Sequence, residues 1–72
     1  MSRLVKRSFS LAGHRTSVAL EAEFWDALGV IATADGRTLS ALVAEADGRR
    51  GTGAPLASFL RVLALNHFRD GQ

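Results

Sequence analysis

The sequence predicts a mainly α-helical domain with a short β-ribbon at its N-terminus. Apolar residues alternate from His14 to Leu20, and from Phe24 onwards they recur at helical spacing, with no loop between the two patterns. A chain of 72 residues forms one domain, residues 1–72, and buries only about 60% of its unfolded surface. We therefore expect a homodimer in which two chains share one hydrophobic core.

The strand region is predicted over residues 6–20. Alternation gives it two faces: Thr16, Val18 and Leu20 point inward, and Arg15, Ser17 and Ala19 point outward. Gly13 interrupts the pattern, so two arrangements stay open, namely one long bent strand or a hairpin around that glycine. Because one short strand is not stable by itself, we expect a partner chain to supply a pairing strand. Residues 1–5 are expected to form a loose arm.

Three helices are predicted after the strand. Helix one covers residues 22–35 and ends at the turn signal Asp35-Gly36. Helix two covers residues 39–47, with Thr38 as its N-cap. A basic, glycine-rich loop is expected over residues 48–53.

Helix three is predicted over residues 55–68, with Pro55 suited to its first turn. Its apolar residues lie on or near one stripe: Leu56, Phe59, Leu60, Leu63 and Phe68, widened by Val62 and Leu65. We expect the residues after 68 to fray.

Charge is distributed unevenly along the chain, although the net charge is only +2. Residues 1–20 carry four cations and no acid, residues 21–47 carry one cation and six acids, and residues 48–72 carry four cations and one acid. A dimer would combine two basic N-terminal regions into a patch of about +8, which attracts polyanions.

The composition excludes several classes of function. The chain has no cysteine and only two histidines, and it lacks the spacing of a catalytic triad, a metal site or a phosphate-binding loop. We predict a protein that is not an enzyme and needs no cofactor or metal. With no signal peptide and no apolar run of about 18 residues, we expect a cytoplasmic protein with no membrane partner.

The outward face of the strand is the strongest candidate binding surface, because a polar two-stranded ribbon fits the major groove of duplex DNA. Arg15 can make a bidentate contact to guanine, Ser17 can bond a base edge or a phosphate, and Ala19 can touch a thymine methyl group.

Phosphate contacts are expected from a second group of residues. The start of helix two, at Thr38, Leu39 and Ser40, presents free backbone N–H groups at a positive helix end. Lys6, Arg7 and Arg37 add cations. The spacing of Trp25 with its apolar neighbours indicates a core or dimer-interface residue rather than a stacking platform for bases.

These features resemble the ribbon-helix-helix (Arc/MetJ-type) DNA-binding family over residues 14–47. The resemblance rests on the strand at residues 15–20, the turn at residues 35–38 and the helix at residues 39–45. The run Gly13 to Ser17, followed by Phe24-Trp25, is more specific, and the chain as a whole is similar to a small bacterial subgroup of uncharacterised ribbon-helix-helix proteins.

The resemblance implies an intertwined homodimer whose paired strands enter the major groove. By position, it makes Arg15, Ser17 and Ala19 groove-facing, and it places a phosphate clamp at residues 38–40. Ala19 stands where the family usually has a polar residue, which predicts weaker base reading there. The extension over residues 6–13 and the third helix have no counterpart in the minimal fold.

We therefore predict a dimeric transcriptional regulator that binds duplex DNA sequence-specifically, with higher oligomers on DNA left open. One alternative is a dimerisation or protein–protein interaction module, such as an antitoxin or adaptor, that docks a partner through helix three. Another is a nonspecific nucleic-acid binder.

Overall fold

The computed structural model describes residues 3–51 and 53–70, and it contains two strands followed by three helices. In chain order these are β1 (Leu4–Leu11), β2 (His14–Glu21), α1 (Ala22–Ala34), α2 (Leu39–Arg49) and α3 (Leu56–Asp70). The predicted class is confirmed: an N-terminal β-ribbon precedes a helical body with an additional C-terminal helix. Three parts of the predictions lie outside the described residues: residues 1–2 of the arm, residue 52 of the loop, and residues 71–72 of the frayed end.

The two strands form an antiparallel hairpin in which Leu11 pairs with His14. Ala12 and Gly13 connect them with positive φ angles of 52° and 82°. Positive φ at both turn residues is typical of a type I′ turn, whose twist matches that of the flanking strands. Of the two arrangements that the sequence left open, the hairpin is therefore the observed one.

The pairing strand of β2 comes from the same chain. The expectation that a second chain must supply it is wrong, because β1 pairs with β2 along its whole length, from Leu4–Glu21 to Leu11–His14. Gly13 makes this possible, since it lets the chain reverse within two residues. The association of two chains into a homodimer stays a prediction.

The first strand starts earlier than the sequence indicated. Leu4 and Val5 were expected in a loose arm, but both belong to β1 and pair with Glu21 and Leu20. The indole N–H of Trp25 donates a hydrogen bond to the backbone oxygen of Val5 at 2.7 Å. This bond from α1 ties down the beginning of the strand.

Two helices also extend beyond their predicted ends. α2 continues through Gly48 and Arg49, which were expected in a loop, because the N–H of Arg50 still bonds the oxygen of Ala46 at 3.0 Å. The side chain of Arg50 also pairs with Asp47 at 3.0 Å. α3 begins one residue later than predicted and continues to Asp70, so the expectation that residues 69 and 70 fray is wrong.

A single hydrophobic core lies between the inner face of the hairpin and the three helices. Its largest fully buried side chains come from β2 and all three helices: Leu20, Leu28, Leu42, Val43 and Leu60. Trp25 is buried and its ring lies 5.8 Å from that of Phe9, so its prediction as a core residue is confirmed.

The predicted apolar stripe of α3 is only partly buried. Leu56, Leu60 and Ala64 are in the core, whereas Val62, Leu65 and Phe68 remain 51%, 57% and 42% exposed. The predicted stripe is therefore wider than the part of α3 that faces the core. The hairpin, α1 and α2 cover only one side of α3. The seven apolar residues of the stripe occupy more of the helix surface than these elements can bury.

No single helix in the described segments is long and apolar enough to cross a membrane. Together α1 and α2 reach that length and composition, but they are bent by 98° relative to each other.

Candidate nucleic-acid interface

The hairpin register divides the ribbon into two faces. Lys6 lies opposite Ala19, Ser8 opposite Ser17, and Ser10 opposite Arg15, so these six side chains share one face. We call this set, Lys6, Ser8, Ser10, Arg15, Ser17 and Ala19, the outer ribbon face. It points away from the core, which receives Phe9, Leu11, Val18 and Leu20 from the other face. The predicted orientations of Arg15, Ser17 and Ala19 are confirmed.

Hydroxyl groups occupy the middle of the outer ribbon face. The Oγ atoms of Ser8 and Ser17 lie 3.1 Å apart and form a hydrogen bond across the strands. Sequence reasoning did not include Ser8 or Ser10 among the site residues. Their alternation with buried Phe9 and Leu11 was a usable signal, since it places both serines on the face opposite the core.

The cations of the outer ribbon face are not neutralised by neighbours. Within the part of the chain that the structure describes, neither Lys6 nor Arg15 forms an ion pair, and both are exposed. The first acid along the hairpin is Glu21, which is paired with Arg61 of α3 at 3.0 Å. The face therefore presents positive charge and hydroxyl groups.

Arg7 lies on the opposite face of the ribbon from Lys6, although the same phosphate-binding role was predicted for both. It pairs with Val18 across the strands, and its guanidinium carbon lies 5.5 Å from the centre of the Trp25 ring. A cation over an indole face is attracted by the ring quadrupole. Arg7 thus covers the tryptophan from the inner side of the ribbon and lies outside the outer ribbon face.

Arg37 is engaged by two carboxylates. Its Nη2 atom contacts Glu45 and lies 3.5 Å from Asp35, and the Nε atom is buried without a hydrogen-bond partner among the described residues. Because both acids already neutralise this guanidinium, a phosphate contact by Arg37 would require it to leave them.

The beginning of α2 has the predicted cap. The Thr38 hydroxyl accepts a hydrogen bond from the N–H of Ala41 at 3.1 Å, and the Thr38 carbonyl accepts one from Leu42 at 3.1 Å. The first turn also contains the backbone N–H groups of Leu39 and Ser40. Neither group has an acceptor within the helix. The Leu39 side chain packs against the core, and Ser40 is exposed.

No group of three or more His, Asp or Glu residues in the described segments could hold a metal ion. The arrangement consists of an exposed basic ribbon face and a helix N-terminus. Its chemistry is that of anion and hydrogen-bond recognition.

Comparison with known proteins gives one family and one solved structure. The model of the ribbon-helix-helix domain family matches residues 4–68. The structure of an uncharacterized protein from Bordetella pertussis Tohama I is similar with a TM-score of 0.83 and 39% sequence identity. The match covers 94% of this chain and 58% of that one, so the chain spans less than two thirds of its structural relative. No curated protein matches the chain.

Ribbon-helix-helix domains are generally DNA-binding domains of transcription regulators rather than enzymes. The family match extends over both strands and nearly all of the three helices. The chain belongs to the ribbon-helix-helix domain family.

Proposed function

We propose that this protein binds duplex DNA sequence-specifically and regulates transcription, with the outer ribbon face in the major groove. The observation that carries the proposal is the composition of that face. It holds three serine hydroxyls together with Lys6 and Arg15, which form no ion pair with any residue in segments 3–51 and 53–70, whereas the acids lie on or beside the helices. A surface of this kind matches both the phosphate charge and the base edges of a groove.

The dimensions of the hairpin suit such a complex. A two-stranded ribbon fits a major groove that is about 12 Å wide. Arg15 is the reading residue, because a guanidinium can donate two hydrogen bonds to O6 and N7 of guanine. The hydroxyls of Ser8 and Ser17 can each donate or accept, and Ala19 offers its methyl group to thymine.

Phosphate contacts position the ribbon in this proposal. Lys6 supplies one cation from the outer ribbon face, and the N–H groups of Leu39 and Ser40 supply a helix N-terminus. Thr38 holds that terminus in place by capping it. Arg37 and Arg7 remain candidates for phosphate contacts. We expect both to contribute less than Lys6, because Arg37 is held by carboxylates and Arg7 by the ring of Trp25.

We propose that the protein acts as a homodimer in the bacterial cytoplasm. Members of this family typically bind DNA as dimers, and two copies would give two basic ribbons for two half-sites. The bacterial source of the structural relative supports the assignment to bacteria.

Selection of the purified protein against a pool of random duplex DNA, followed by sequencing, tests the proposal. The expected result is enrichment of short inverted or direct repeats at a fixed spacing. Arg15→Ala, run against the same pool, should lose the preference at one position of each repeat. A pool that stays unenriched for both proteins would contradict sequence-specific binding and leave a nonspecific binder or a protein-interaction module.

One observation favours a protein-interaction role as the second candidate. Val62, Leu65 and Phe68 expose apolar surface on α3. Such a surface is typical of a contact with another protein chain.

A further inference from the structure

The connection between α1 and α2 makes a sharp corner. The two helices are bent by 98° relative to each other, and residues 35–38 separate them. Gly36 has a φ angle of 70°, and the N–H groups of Gly36 and Arg37 bond the oxygens of Thr33 and Ala32, each at 3.0 Å. These bonds are those of a Schellman motif, which fixes how the chain leaves a helix. The backbone of Arg37 is therefore attached to the end of α1.

The side chain of Arg37 crosses this corner to the other helix. Its Nη2 atom contacts the carboxylate of Glu45 on α2 and lies 3.5 Å from that of Asp35, the C-cap residue of α1. We call these three side chains, Asp35, Arg37 and Glu45, the corner brace. Arg37 holds α1 through its backbone and α2 through its guanidinium, so it connects the two sides of the corner.

The guanidinium of Arg37 lies alongside α2 rather than in front of it. Glu45 follows Leu39 by six residues, which is about 9 Å along the helix axis. Arg37 also lines a cleft of about 470 Å³ that includes Leu63 and His67 of α3. A phosphate held by the free N–H groups of α2 lies beyond the first turn of the helix. Arg37 would have to leave Glu45 to contact it.

The corner determines how the start of α2 is placed relative to the ribbon. β2 ends at Glu21 and α1 begins at Ala22, so no loop separates the ribbon from α1. The next change of direction is the corner, and α2 begins directly after it. The spacing between Arg15 on the outer ribbon face and the N–H groups of Leu39 and Ser40 therefore depends on the corner.

We propose, on the basis of the proposed function, that Arg37 is a positioning residue for DNA binding. By bridging Asp35 and Glu45, it fixes the distance between the outer ribbon face and the phosphate-binding start of α2. Phosphate contacts set the register and orientation of a protein on a duplex, so base reading requires that this distance match the DNA. The contribution of Arg37 to binding is then indirect.

Two variants break the corner brace with opposite changes of charge. Arg37→Gln removes a cation, and Glu45→Gln removes an acid. A positioning role predicts that both weaken binding to a selected duplex by about two- to fivefold, the value of one contact at a helix N-terminus. The double variant should bind no more weakly than either single variant, because both break the same connection.

Direct phosphate binding by Arg37 predicts opposite signs for the two variants. Glu45→Gln would then free the guanidinium, raise the affinity and steepen the salt dependence by about one unit of slope. Asp47→Asn is the matched control for charge. Asp47 is another acid of α2 that pairs with an arginine, Arg50 at 3.0 Å, outside the corner brace. This control should bind DNA at least as tightly as the wild type.

The spacing itself is measurable without DNA. The chain has no cysteine, so Ser10→Cys and Ser40→Cys, both at exposed positions, can carry one nitroxide label each. An excess of unlabelled chain separates labelled copies in any assembly. Double electron–electron resonance should give a narrow distance distribution in the otherwise wild-type chain and with Asp47→Asn. The distribution should broaden or shift with Arg37→Gln and with Glu45→Gln.

A role in stability alone would lower the unfolding free energy of the brace variants and leave the distance distribution narrow. That result would overturn the proposal, as would a gain of affinity for Glu45→Gln. If the distribution broadens but no duplex is bound by the wild type, the corner brace stands and the DNA-binding proposal fails. If DNA is bound and both brace variants keep the wild-type affinity, the assignment of Arg37 fails alone.

Discussion

Arg61 of α3 and Glu21 at the end of β2 form an ion pair across 40 positions of the chain. The Nε atom of Arg61 lies 3.0 Å from Oε1 of Glu21, and the Nη2 atom lies 3.4 Å from Oε2. The two parallel contacts are a bidentate arrangement, which fixes orientation as well as distance. This pair connects the C-terminal helix to the point where the ribbon becomes α1.

The first prediction concerns acid. A hydrogen bond from its own backbone N–H, and then the Arg61 guanidinium, hold the pKa of Glu21 below its ordinary value of 4.5. A lowered pKa in the folded state stabilises the fold above the ordinary value, and that contribution is lost as the pH falls through the lowered pKa. We expect the difference in unfolding free energy between wild type and Glu21→Gln to shrink below about pH 4.5.

Urea denaturation at a series of pH values measures this difference. Arg61→Gln removes the partner, so the double variant should show a smaller effect of Glu21→Gln than the wild-type background does. A difference that stays constant from about pH 7 to about pH 3 would exclude the lowered pKa.

The second prediction concerns base reading by Arg15. Arg15→Ala should cost about 1–3 kcal/mol on a selected DNA site and relax the preference at one base pair. Arg49→Ala is the matched control, because it removes one exposed positive charge at the end of α2, outside the outer ribbon face. Titration against the site and its single-base variants checks both. Uniform weakening on all sequences by Arg15→Ala would contradict direct reading.

The third prediction separates two neighbouring cations. Lys6→Ala should lower the slope of log affinity against log salt by about one, because each phosphate contact releases about one counterion. Arg7→Ala removes the same charge from the opposite face, and we expect a smaller change in slope. It should instead lower the unfolding free energy by about 0.5–1 kcal/mol, since Trp25 loses a cation–π contact. Salt titrations of binding, together with urea denaturation, test this. An equal loss of slope for both variants would refute the assignment by face.

The fourth prediction concerns the cap of α2. Thr38→Ala removes the acceptor for the N–H of Ala41 and should lower the unfolding free energy by about 0.5–2 kcal/mol. Thr38→Ser keeps a hydroxyl there and should stay close to wild type. Urea denaturation of both variants separates two causes. Loss of the cap would lower the unfolding free energy of Thr38→Ala alone, whereas loss of the methyl group would lower that of Thr38→Ser as well.

The fifth prediction uses the hairpin turn. Ala12 has a φ angle of 52°, a region that costs an alanine about 1–2 kcal/mol. Ala12→Asn creates the Asn-Gly pair that type I′ turns prefer and should raise the unfolding free energy by about 1 kcal/mol. Gly13→Ala should lower it by a similar amount, although a Cβ there meets no atom within 4 Å. Thermal or urea unfolding that shows no gain for Ala12→Asn would contradict the assigned turn.

Much of the fold and part of the candidate site were predictable from local pattern. Alternation correctly separated exposed Arg15 and Ser17 from buried Val18 and Leu20, and Thr38 was correctly identified as the cap of α2. The same alternation could have separated Lys6 from Arg7, since Arg7 shares the face of Phe9. These features depend on residues within a few positions of one another, so they are visible in the sequence.

Other features depend on contacts between distant segments. The side chain of Arg37 is occupied by Glu45, eight positions away, which no periodicity indicates. The exposure of Leu65 depends on how much of α3 the hairpin, α1 and α2 can cover.

Local pattern was enough to predict the order of the elements, the two faces of the ribbon and the cap of α2, because backbone propensity and side-chain period are local properties. The pairing of β2 within its own chain, the neutralisation of Arg37 and the exposure of an apolar stripe on α3 became visible only once the chain was folded. In each case several distant segments could occupy the same partner or surface. Close packing in three dimensions allows one of these arrangements.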